Sequence, residues 1–337
     1  MRLRPHTVEA VRVEERSQVA FVRRRAQALA RRQGFDEATE GKLALTVSEA
    51  AGNLLDHAQG GEVVVTASDF GEARWIDVLT IDQGPGIRHL GRALAGGVST
   101  AGGLGQGLGA IRRLADSFEI FAPSEQGTVI AFRFYSQLSR PPEDLPQLGA
   151  VCRPKRRQPA CGDAWTACKV GRTGAYMLLV VDGVGHGEAA CEAATKAVET
   201  LDSGPCTSPS EVLRNVHRAL EHTRGAAGAA VLLDPRAGRL SFCGIGNLQA
   251  TLINLEGRRG LASLNGILGQ GRVELQEFHR DWPEGTLLVV HTDGVSSRWI
   301  LGDYPGLRIR HPALVSGVLY RDFSYDHDDS TVLVARR

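Results

Sequence analysis

The first 135 residues open with two stretches in which apolar residues recur at every third or fourth position. The stretch from Glu14 to Gln33 predicts one amphipathic helix. Asp36 is a typical helix-capping residue and predicts the start of a second helix that runs to about His57. Further on, the pattern predicts strands over 62–67, 75–81, 119–122 and 128–134, and a helix over 110–116. This order indicates a mixed α/β unit.

The second half of the chain alternates short apolar runs with two amphipathic stretches. The runs predict strands over 176–181, 229–233, 239–243, 249–255, 287–292 and 331–334, and the amphipathic stretches predict helices over 188–201 and 210–223. Five prolines between Ser136 and Pro159 mark a linker, although 148–152 could already be the first strand of the next domain. The predicted domains are therefore 1–135 and 148–337, joined by a proline-rich linker over 136–147.

Composition narrows the class of protein. A chain of 337 residues, with 42% hydrophobic and 23% charged residues, is typical of two globular domains. The net charge of +1 gives no general reason to expect nucleic acid or an acidic membrane as a partner. The six cysteines include no Cys-x-x-Cys pair, which argues against zinc and favours reduced thiols. With no long apolar segment, the sequence predicts a cytoplasmic protein.

Polar residues suited to nucleotide chemistry recur in the first half. Glu49, Asn53 and His57 lie four residues apart and share one face of the second helix. An acid and an amide on one face can serve as a base and a ligand of metal-bound phosphate. Asp82, followed by Gly84 and Gly86, stands at the end of a predicted strand, where it can accept a hydrogen bond from a purine amino group. Taken alone, each pattern is also typical of a solvated helix face or a turn.

A glycine-rich segment, 102–109, leads directly into a helix. Backbone N–H groups at a glycine-rich helix N-terminus can bind phosphate. The segment lacks the lysine of a P-loop and the strand that precedes a dinucleotide-binding fingerprint. Thr128 opens the last predicted strand, where its hydroxyl could support an adenine pocket.

In this order, the four motifs resemble the GHKL ATPase superfamily over residues 10–135. The segments 99–105 and 116–120 are most similar to the stressosome switch kinases of the RsbT type. The resemblance implies a two-layer α/β sandwich that binds ATP with Mg²⁺. It further implies Glu49 as general base, Asn53 as Mg²⁺ ligand and Asp82 as adenine acceptor. Other implied nucleotide-binding residues are Gly84, Gly86, Gly105, Gly107, Leu108 and Thr128.

Acidic residues in the second half stand at predicted strand ends beside glycine or another acid. They are Asp163, Asp182, Asp293 and the pair Asp328 and Asp329. Carboxylates gathered without cysteine suit Mg²⁺ or Mn²⁺. Two such ions about 3.5–4 Å apart can activate a water and bind a phosphate. Each Asp-Gly alone is also typical of a simple turn.

As a set, these motifs resemble the metal-dependent serine/threonine phosphatases, and more narrowly the SpoIIE and RsbX branch, over residues 148–335. The resemblance implies a four-layer αββα sandwich holding two Mn²⁺ or Mg²⁺ ions. The implied metal ligands are Asp163, Asp182, the Gly183 carbonyl, Asp293 and Asp328. No arginine stands at the phosphate-binding position of the larger eukaryotic members, so the metals are expected to carry the phosphate.

Together the two resemblances imply an α+β protein that acts in a bacterial partner-switching pathway. One domain would phosphorylate Ser or Thr of a STAS-domain antagonist or scaffold, and the other would remove phosphate from the same or a related STAS protein. One alternative keeps both folds and makes the first half an anti-sigma factor, with a sigma factor or other downstream regulator as partner. Another alternative is an ATP-dependent binding module without kinase chemistry.

Overall fold

The computed structural model describes residues 1–95, 107–136, 140–156, 158–171, 173–203 and 206–337. The chain forms two compact units. The first comprises Pro5–Pro141, and the second comprises Met1–Arg4 together with Pro142–Arg337. The boundaries 1–135 and 148–337 remain a prediction, and the structural units differ from them most clearly at the N-terminus, where four residues group with the second unit.

The first unit packs helices on one antiparallel sheet. Its elements are β1 (Arg2–Val13, from Pro5 on), α1 (Arg16–Arg32), α2 (Glu37–Ala58), β2 (Gly61–Phe70), β3 (Ala73–Asp82), α3 (Leu90–Ala95), α4 (Gly107–Leu114), β4 (Ser117–Phe121) and β5 (Thr128–Tyr135). The strand order is β1-β2-β3-β5-β4. Helix α2 contacts α1, α4, β2 and β3, so it lies at the centre of the helical layer.

Local sequence explains how α2 begins and which face it buries. The Asp36 carboxylate accepts a hydrogen bond from the Thr39 backbone N–H at 2.8 Å, which satisfies one of the free donors of the first turn and lowers the pKa of Asp36. Leu43, Val47 and Leu54 recur at helical spacing and are buried in the core with the inward residues of β2, β3 and β5. Burial of this stripe fixes the opposite, polar residues of α2 relative to the sheet.

The second unit contains two antiparallel sheets with helices outside. Its elements are β6 (Gln147–Arg153), β7 (Asp163–Val170), β8 (Ala175–Gly183), α5 (Glu188–Ser203), α6 (Pro209–Ala219), β9 (Ala226–Asp234), β10 (Arg239–Ile245), β11 (Gln249–Ile253), β12 (Arg258–Leu261), β13 (Phe278–Asp281), β14 (Leu287–His291), α7 (Pro312–Phe323) and β15 (Ser330–Arg336). One sheet has the order β13-β10-β9-β8-β7, and the other β12-β11-β14-β15-β6.

Helices cover both sheets of this unit. Helices α5 and α6 pack on strands of the first sheet, α7 packs on β6 and β15, and β7 contacts both β6 and β15. The second unit is therefore a four-layer αββα sandwich. At the edge of the first sheet, Leu3 pairs antiparallel with Ala167 of β7, and Thr166 Oγ1 donates to the Leu3 carbonyl at 2.7 Å.

The α+β class predicted from the sequence is confirmed, and most predicted elements are present within a few residues of their expected ends. The pattern had not indicated β1, α3, β7, β12, β13 or α7. The helix predicted over 210–223 ends earlier, at Ala219. No helix in the described part of the chain combines the length and apolar character needed to cross a membrane.

Candidate functional site

Three of the residues predicted to act on ATP lie together between α2 and α4. Glu49 and Asn53 project from α2 toward Gly107, the first residue of α4. A Cβ atom built on Gly107 would lie 3.1 Å from Glu49 Oε2 and 3.4 Å from Asn53 Oδ1. Glycine therefore lets the helix N-terminus approach the acid and the amide. His57, one turn beyond Asn53, is exposed.

Asn53 has a polar atom that the fold leaves without a partner. Its Nδ2 is buried and forms no hydrogen bond with any described residue. A buried amide nitrogen without an acceptor lowers the stability of the fold, so such groups usually form a hydrogen bond with a ligand or with water. The amide end of Asn53 therefore suits a site that a phosphate–Mg²⁺ group would complete.

A second group of predicted residues surrounds Asp82 at the end of β3. The buried Asp82 Oδ1 accepts hydrogen bonds from the backbone N–H groups of Gly84, at 2.8 Å, and Thr128, at 3.0 Å. The β3–β5 register sets Thr128 directly opposite Asp82. A Cβ on Gly84 would lie 2.7 Å from Ala58 Cβ, so the turn also packs against the end of α2.

Gly86 is required by the backbone of the same turn. Its φ is +67°, and an added Cβ would lie 1.9 Å from the Pro123 carbonyl oxygen. Three backbone hydrogen bonds join this turn to the segment before β5: Ile87 N–H to Ala122 O, Glu125 N–H to Pro85 O and Gly127 N–H to Gly84 O. The turn is thereby held against the segment that leads to Thr128.

The remaining predicted nucleotide contacts are less fully described. Gly105 lies outside the described residues. Leu108 follows Gly107 in the first turn of α4 and packs against the hydrophobic core. Both groups of predicted residues, around Glu49 and around Asp82, thus lie against one helix, α2.

In the second unit, the sheet register brings two of the predicted acids together. Asp163 opens β7 and is the antiparallel partner of Asp182 near the end of β8. Opposite residues in an antiparallel pair project to the same face. Burial, and then repulsion from Asp163, Asp293 and Asp328, raises the pKa of Asp182 to about 9. The four carboxylates are therefore close enough to oppose each other's ionisation.

Asp163 offers an oxygen without a hydrogen-bond donor. Thr292 Oγ1 donates to Asp163 Oδ2 at 2.8 Å, and Thr331 N–H donates in turn to Thr292 Oγ1 at 2.9 Å. Asp163 Oδ1 is buried and accepts no hydrogen bond from the described residues. Burial raises the pKa of Asp163 well above its ordinary value. An acceptor-only oxygen in this position suits a cation.

The neighbouring acids Asp328 and Asp329 have different surroundings. Asp329 is buried, and its two oxygens accept the backbone N–H groups of Lys155, at 2.6 Å, and Gly162, at 3.0 Å. Asp328 is partly exposed and accepts only the Asp329 N–H, at 2.9 Å, among the described residues. Asp329 thus holds the loop before β7, whereas the other Asp328 oxygen accepts no hydrogen bond from the described residues.

Close backbone approach and one amide complete this region. A Cβ on Gly294 would lie 1.8 Å from the Asp329 carbonyl oxygen, so only glycine fits after Asp293. Asn247 Nδ2 donates to Asp293 Oδ2 at 2.5 Å. Gly183 N–H donates to the Gly162 carbonyl at 2.9 Å, which joins the ends of β7 and β8.

The acids fit hard divalent cations by chemistry, since they are clustered carboxylates with an acceptor-only buried oxygen. No set of three or more His, Cys, Asp or Glu side chains in the described part of the chain is already spaced to hold one ion. The predicted ligand set, Asp163, Asp182, Gly183, Asp293 and Asp328, therefore remains a prediction.

Sequence reasoning missed Thr292, Asn247 and the role of Asp329. Thr292 stands in the Thr-Asp-Gly motif, which was a usable signal. Asn247 stands in no motif, since its contact with Asp293 depends on the sheet. The geometry defines the class of protein: a nucleotide-binding unit with an acid beside a helix N-terminus, and a four-layer unit with clustered carboxylates.

Comparisons with known proteins agree with this class. Residues 13–134 match the family model of the histidine kinase-like ATPase domain, and residues 172–337 match that of stage II sporulation protein E (SpoIIE). The serine/threonine-protein kinase RsbT of Bacillus subtilis (strain 168) is 30% identical over 121 residues, which cover 36% of this chain and 90% of RsbT.

Solved structures extend the likeness to the second half. A chain from a structure titled as the bacterial stressosome, a modular system adapted to control secondary messenger signaling, is 29% identical with a TM-score of 0.52, and the match covers 57% of this chain and 100% of that one. RsbX in complex with magnesium is 18% identical with a TM-score of 0.50. The match covers 56% of this chain and 92% of RsbX, and at this identity it shows the fold alone.

The chain belongs to the RsbT family of serine/threonine-protein kinases through its N-terminal half, which it joins to a phosphatase domain of the SpoIIE type. It therefore combines a protein serine/threonine kinase with a protein phosphatase.

Proposed function

We propose that this protein is a bifunctional regulator of a bacterial partner-switching pathway. Its kinase unit uses ATP to phosphorylate Ser or Thr of a STAS-domain antagonist, and its phosphatase unit hydrolyses the phosphoester on the same or a related STAS protein. The observation that carries the proposal is the convergence of Glu49 and Asn53 on the start of α4, with Gly107 leaving the space between them open.

Glu49 is the general base of the kinase reaction. Its carboxylate accepts the proton of the Ser or Thr hydroxyl while the hydroxyl oxygen forms a bond to the γ-phosphorus and ADP leaves with the bridging oxygen. Backbone N–H groups at the start of α4 stabilise negative charge on the phosphates. Asn53 would hold Mg²⁺ through its Oδ1, and its buried Nδ2, which has no partner among the described residues, can donate a hydrogen bond to a phosphate oxygen.

The nucleotide base lies in the pocket around Asp82. Gly84 and Thr128 donate to one oxygen of Asp82 and so fix the carboxylate that accepts from the adenine amino group. Gly86 keeps the turn against its neighbouring segment. These residues position ATP, and they take no part in bond formation.

The phosphatase unit acts through its carboxylates. Two Mn²⁺ or Mg²⁺ ions would be held by Asp182, Asp163, Asp293 and Asp328, with the Gly183 carbonyl. When bound, the ions supply an activated water and neutralise phosphate charge. Thr292 orients Asp163 through its hydroxyl, and Asn247 orients Asp293.

A STAS-domain substrate is supported by the motifs shared with the stressosome switch kinases and by the likeness to a stressosome chain. We further propose that the protein acts in the cytoplasm. ATP supports that location, as do the six cysteines, which are free thiols.

The experiment is a phosphotransfer and release assay on purified STAS proteins with [γ-³²P]ATP. Glu49→Gln should reduce transfer by at least about a hundredfold, the lower range for general-base catalysis. Glu37→Gln, an exposed acid on the same helix, should transfer at the wild-type rate. Mn²⁺ should release the label through the phosphatase unit, and Asp182→Asn should not.

Each alternative gives a different result in this assay. ATP binding without transfer to any STAS protein would support the binding module. Capture of a sigma factor by the kinase unit, together with transfer to its antagonist, would support the anti-sigma factor. If Glu49→Gln transfers phosphate at the wild-type rate, Glu49 is not the general base.

A further inference from the structure

An arginine lies against the loop that follows Asp182. A Cβ atom built on Gly185, three residues after Asp182, would lie 3.1 Å from Arg224 Nη1. Gly185 has a φ of +91° and no side chain, so the guanidinium reaches the loop backbone directly. Arg224 stands between α6 and β9, far from the carboxylates in sequence, and sequence motifs gave it no role.

The sheet register fixes this position. Ala226, two residues after Arg224, is the register partner of Gly183. Val184 N–H donates to the Gly225 carbonyl at 3.0 Å, and Gln270 Nε2 donates to the Arg224 carbonyl at 2.6 Å. The Arg224 and Gly225 carbonyls are therefore anchored to the neighbouring loops.

Glycine at position 225 allows that anchoring. Its φ is +77°, and a Cβ would lie 2.6 Å from the Leu268 carbonyl oxygen. The backbone next to Arg224 is thus packed tightly, while its side chain is exposed. A rigid base with an exposed cationic end is a suitable arrangement for binding an anion from solution.

The Arg224 guanidinium has no hydrogen bond or ion pair with any residue that the structure describes. Other arginines near the carboxylates are paired, since Arg153 and Arg156 lie 3.7 Å and 3.4 Å from carboxylate oxygens of Asp326. An unpaired cation beside a loop that begins with a metal-site acid is available to the substrate.

We infer that Arg224 binds the phosphoryl oxygens of the phosphoserine or phosphothreonine substrate in the phosphatase unit. The inference rests on the proposed metal-dependent phosphatase reaction and adds a protein cation to it. A guanidinium presents two parallel N–H donors, which match two oxygens of a phosphate monoester dianion. The role is that of a substrate-binding residue, and Arg224 transfers no proton.

The test compares Arg224→Gln and Arg224→Lys with Arg259→Gln, which removes an exposed arginine from β12, on the other sheet. Two quantities are measured on Mn²⁺-loaded protein: KM and kcat for a phosphothreonine peptide, and the Kd of inorganic phosphate by calorimetry. We expect Arg224→Gln to raise KM and the phosphate Kd about tenfold, the loss of one charge-assisted contact, with kcat changed less than about threefold.

Arg224→Lys should have a KM and a phosphate Kd between those of wild type and Arg224→Gln, because lysine keeps the charge but lacks the paired donors. Arg259→Gln should match wild type, and Mn²⁺ should bind all four proteins equally. Unchanged KM and phosphate Kd in Arg224→Gln would overturn the inference while leaving the phosphatase reaction intact.

The phosphate titration separates the two proposals. If wild type binds phosphate through Arg224 but hydrolyses no phosphoester, the phosphatase proposal fails and the assignment of Arg224 stands. If wild type neither binds phosphate nor hydrolyses the peptide, both proposals fail.

Discussion

Substitution of Gly86 by alanine tests whether the turn after β3 shapes the nucleotide pocket. The added Cβ would lie 1.9 Å from the Pro123 carbonyl oxygen, and residue 86 has a φ of +67°. Real Cβ atoms essentially never approach closer than 3.0 Å, so the turn or the Pro123 segment must move by about 1 Å. That movement acts directly on the three backbone hydrogen bonds that join the two.

The magnitude follows from these contacts. Left-handed backbone costs an alanine roughly 1–2 kcal/mol, and each weakened hydrogen bond costs about 1 kcal/mol. Gly86→Ala should therefore lower the free energy of unfolding of the first unit by about 3–5 kcal/mol and weaken ATP binding at least about tenfold. Hydrogen exchange of peptides from 61–135 measures the first quantity, and titration with MgATP measures the second.

Gly91→Ala is the matched control, because no atom of the described residues outside its own helix lies within 4 Å of the added Cβ, and Gly91 is in α3. Alanine there should be neutral or stabilise by up to about 1 kcal/mol through helix propensity. The steric reasoning is refuted if the free energies of unfolding of Gly86→Ala and Gly91→Ala differ by less than about 0.5 kcal/mol and the two variants bind ATP equally well.

Three further predictions concern the two sites. Gly107→Ala should keep or raise the melting temperature but reduce phosphotransfer at least about tenfold, because the new methyl group would lie 3.1 Å from Glu49 Oε2. Asp329→Ala should lower the free energy of unfolding by about 2–4 kcal/mol, since two backbone N–H groups lose their acceptor. Asp328→Asn should change the free energy of unfolding by less than about 0.5 kcal/mol, but it should remove Mn²⁺-dependent hydrolysis. For both variants, urea unfolding measures the stability and phosphate release measures the hydrolysis. Mn²⁺ should raise the melting temperature of wild type, because the carboxylates that raise the pKa of Asp182 repel one another without it, and Asp182→Asn should show little of this increase.

Contrary outcomes are specific to each prediction. Full phosphotransfer by Gly107→Ala would mean that the space beside Glu49 is not used by ATP. Equal stability of Asp329→Ala and Asp328→Asn would contradict the division between a structural and a metal-binding acid. If the melting temperature is the same with and without Mn²⁺, the acids of the second unit bind no ion.

Sequence patterns predicted helices with one apolar face and strands that form short apolar runs. Helix α2 is an example of the first and strands β3, β8 and β14 of the second, and their ends agree with the structure within a few residues. Helix α7 was missed because every residue from Leu314 to Tyr320 is buried, so no polar face accompanies the apolar positions. Strand β13 was missed because its four residues are exposed or half-exposed at a sheet edge.

The candidate sites show the same limit. Motifs identified Asp82 and Asp182 because glycines follow them at predicted strand ends, and Glu49 because Asn53 and His57 share its helix face. Asn247 and Arg224 could not be found in that way, since each meets its site only through strand pairing between distant segments. The resemblance had already favoured Asp328 over Asp329 as a ligand, and the fold adds that two backbone N–H groups donate to the oxygens of Asp329.

The pairing of Leu3 with β7 makes the kinase unit an insertion within the phosphatase chain. Thr166, which donates to Leu3, follows it by 163 residues. During synthesis, Leu3 therefore cannot pair with β7 until the whole kinase unit has been translated. A phosphatase unit produced from residue 142 onward would leave this edge of β7 bare, ready to pair with a neighbouring molecule. Pairing by Arg2 and Leu3 therefore protects this part of the β7 edge from such association.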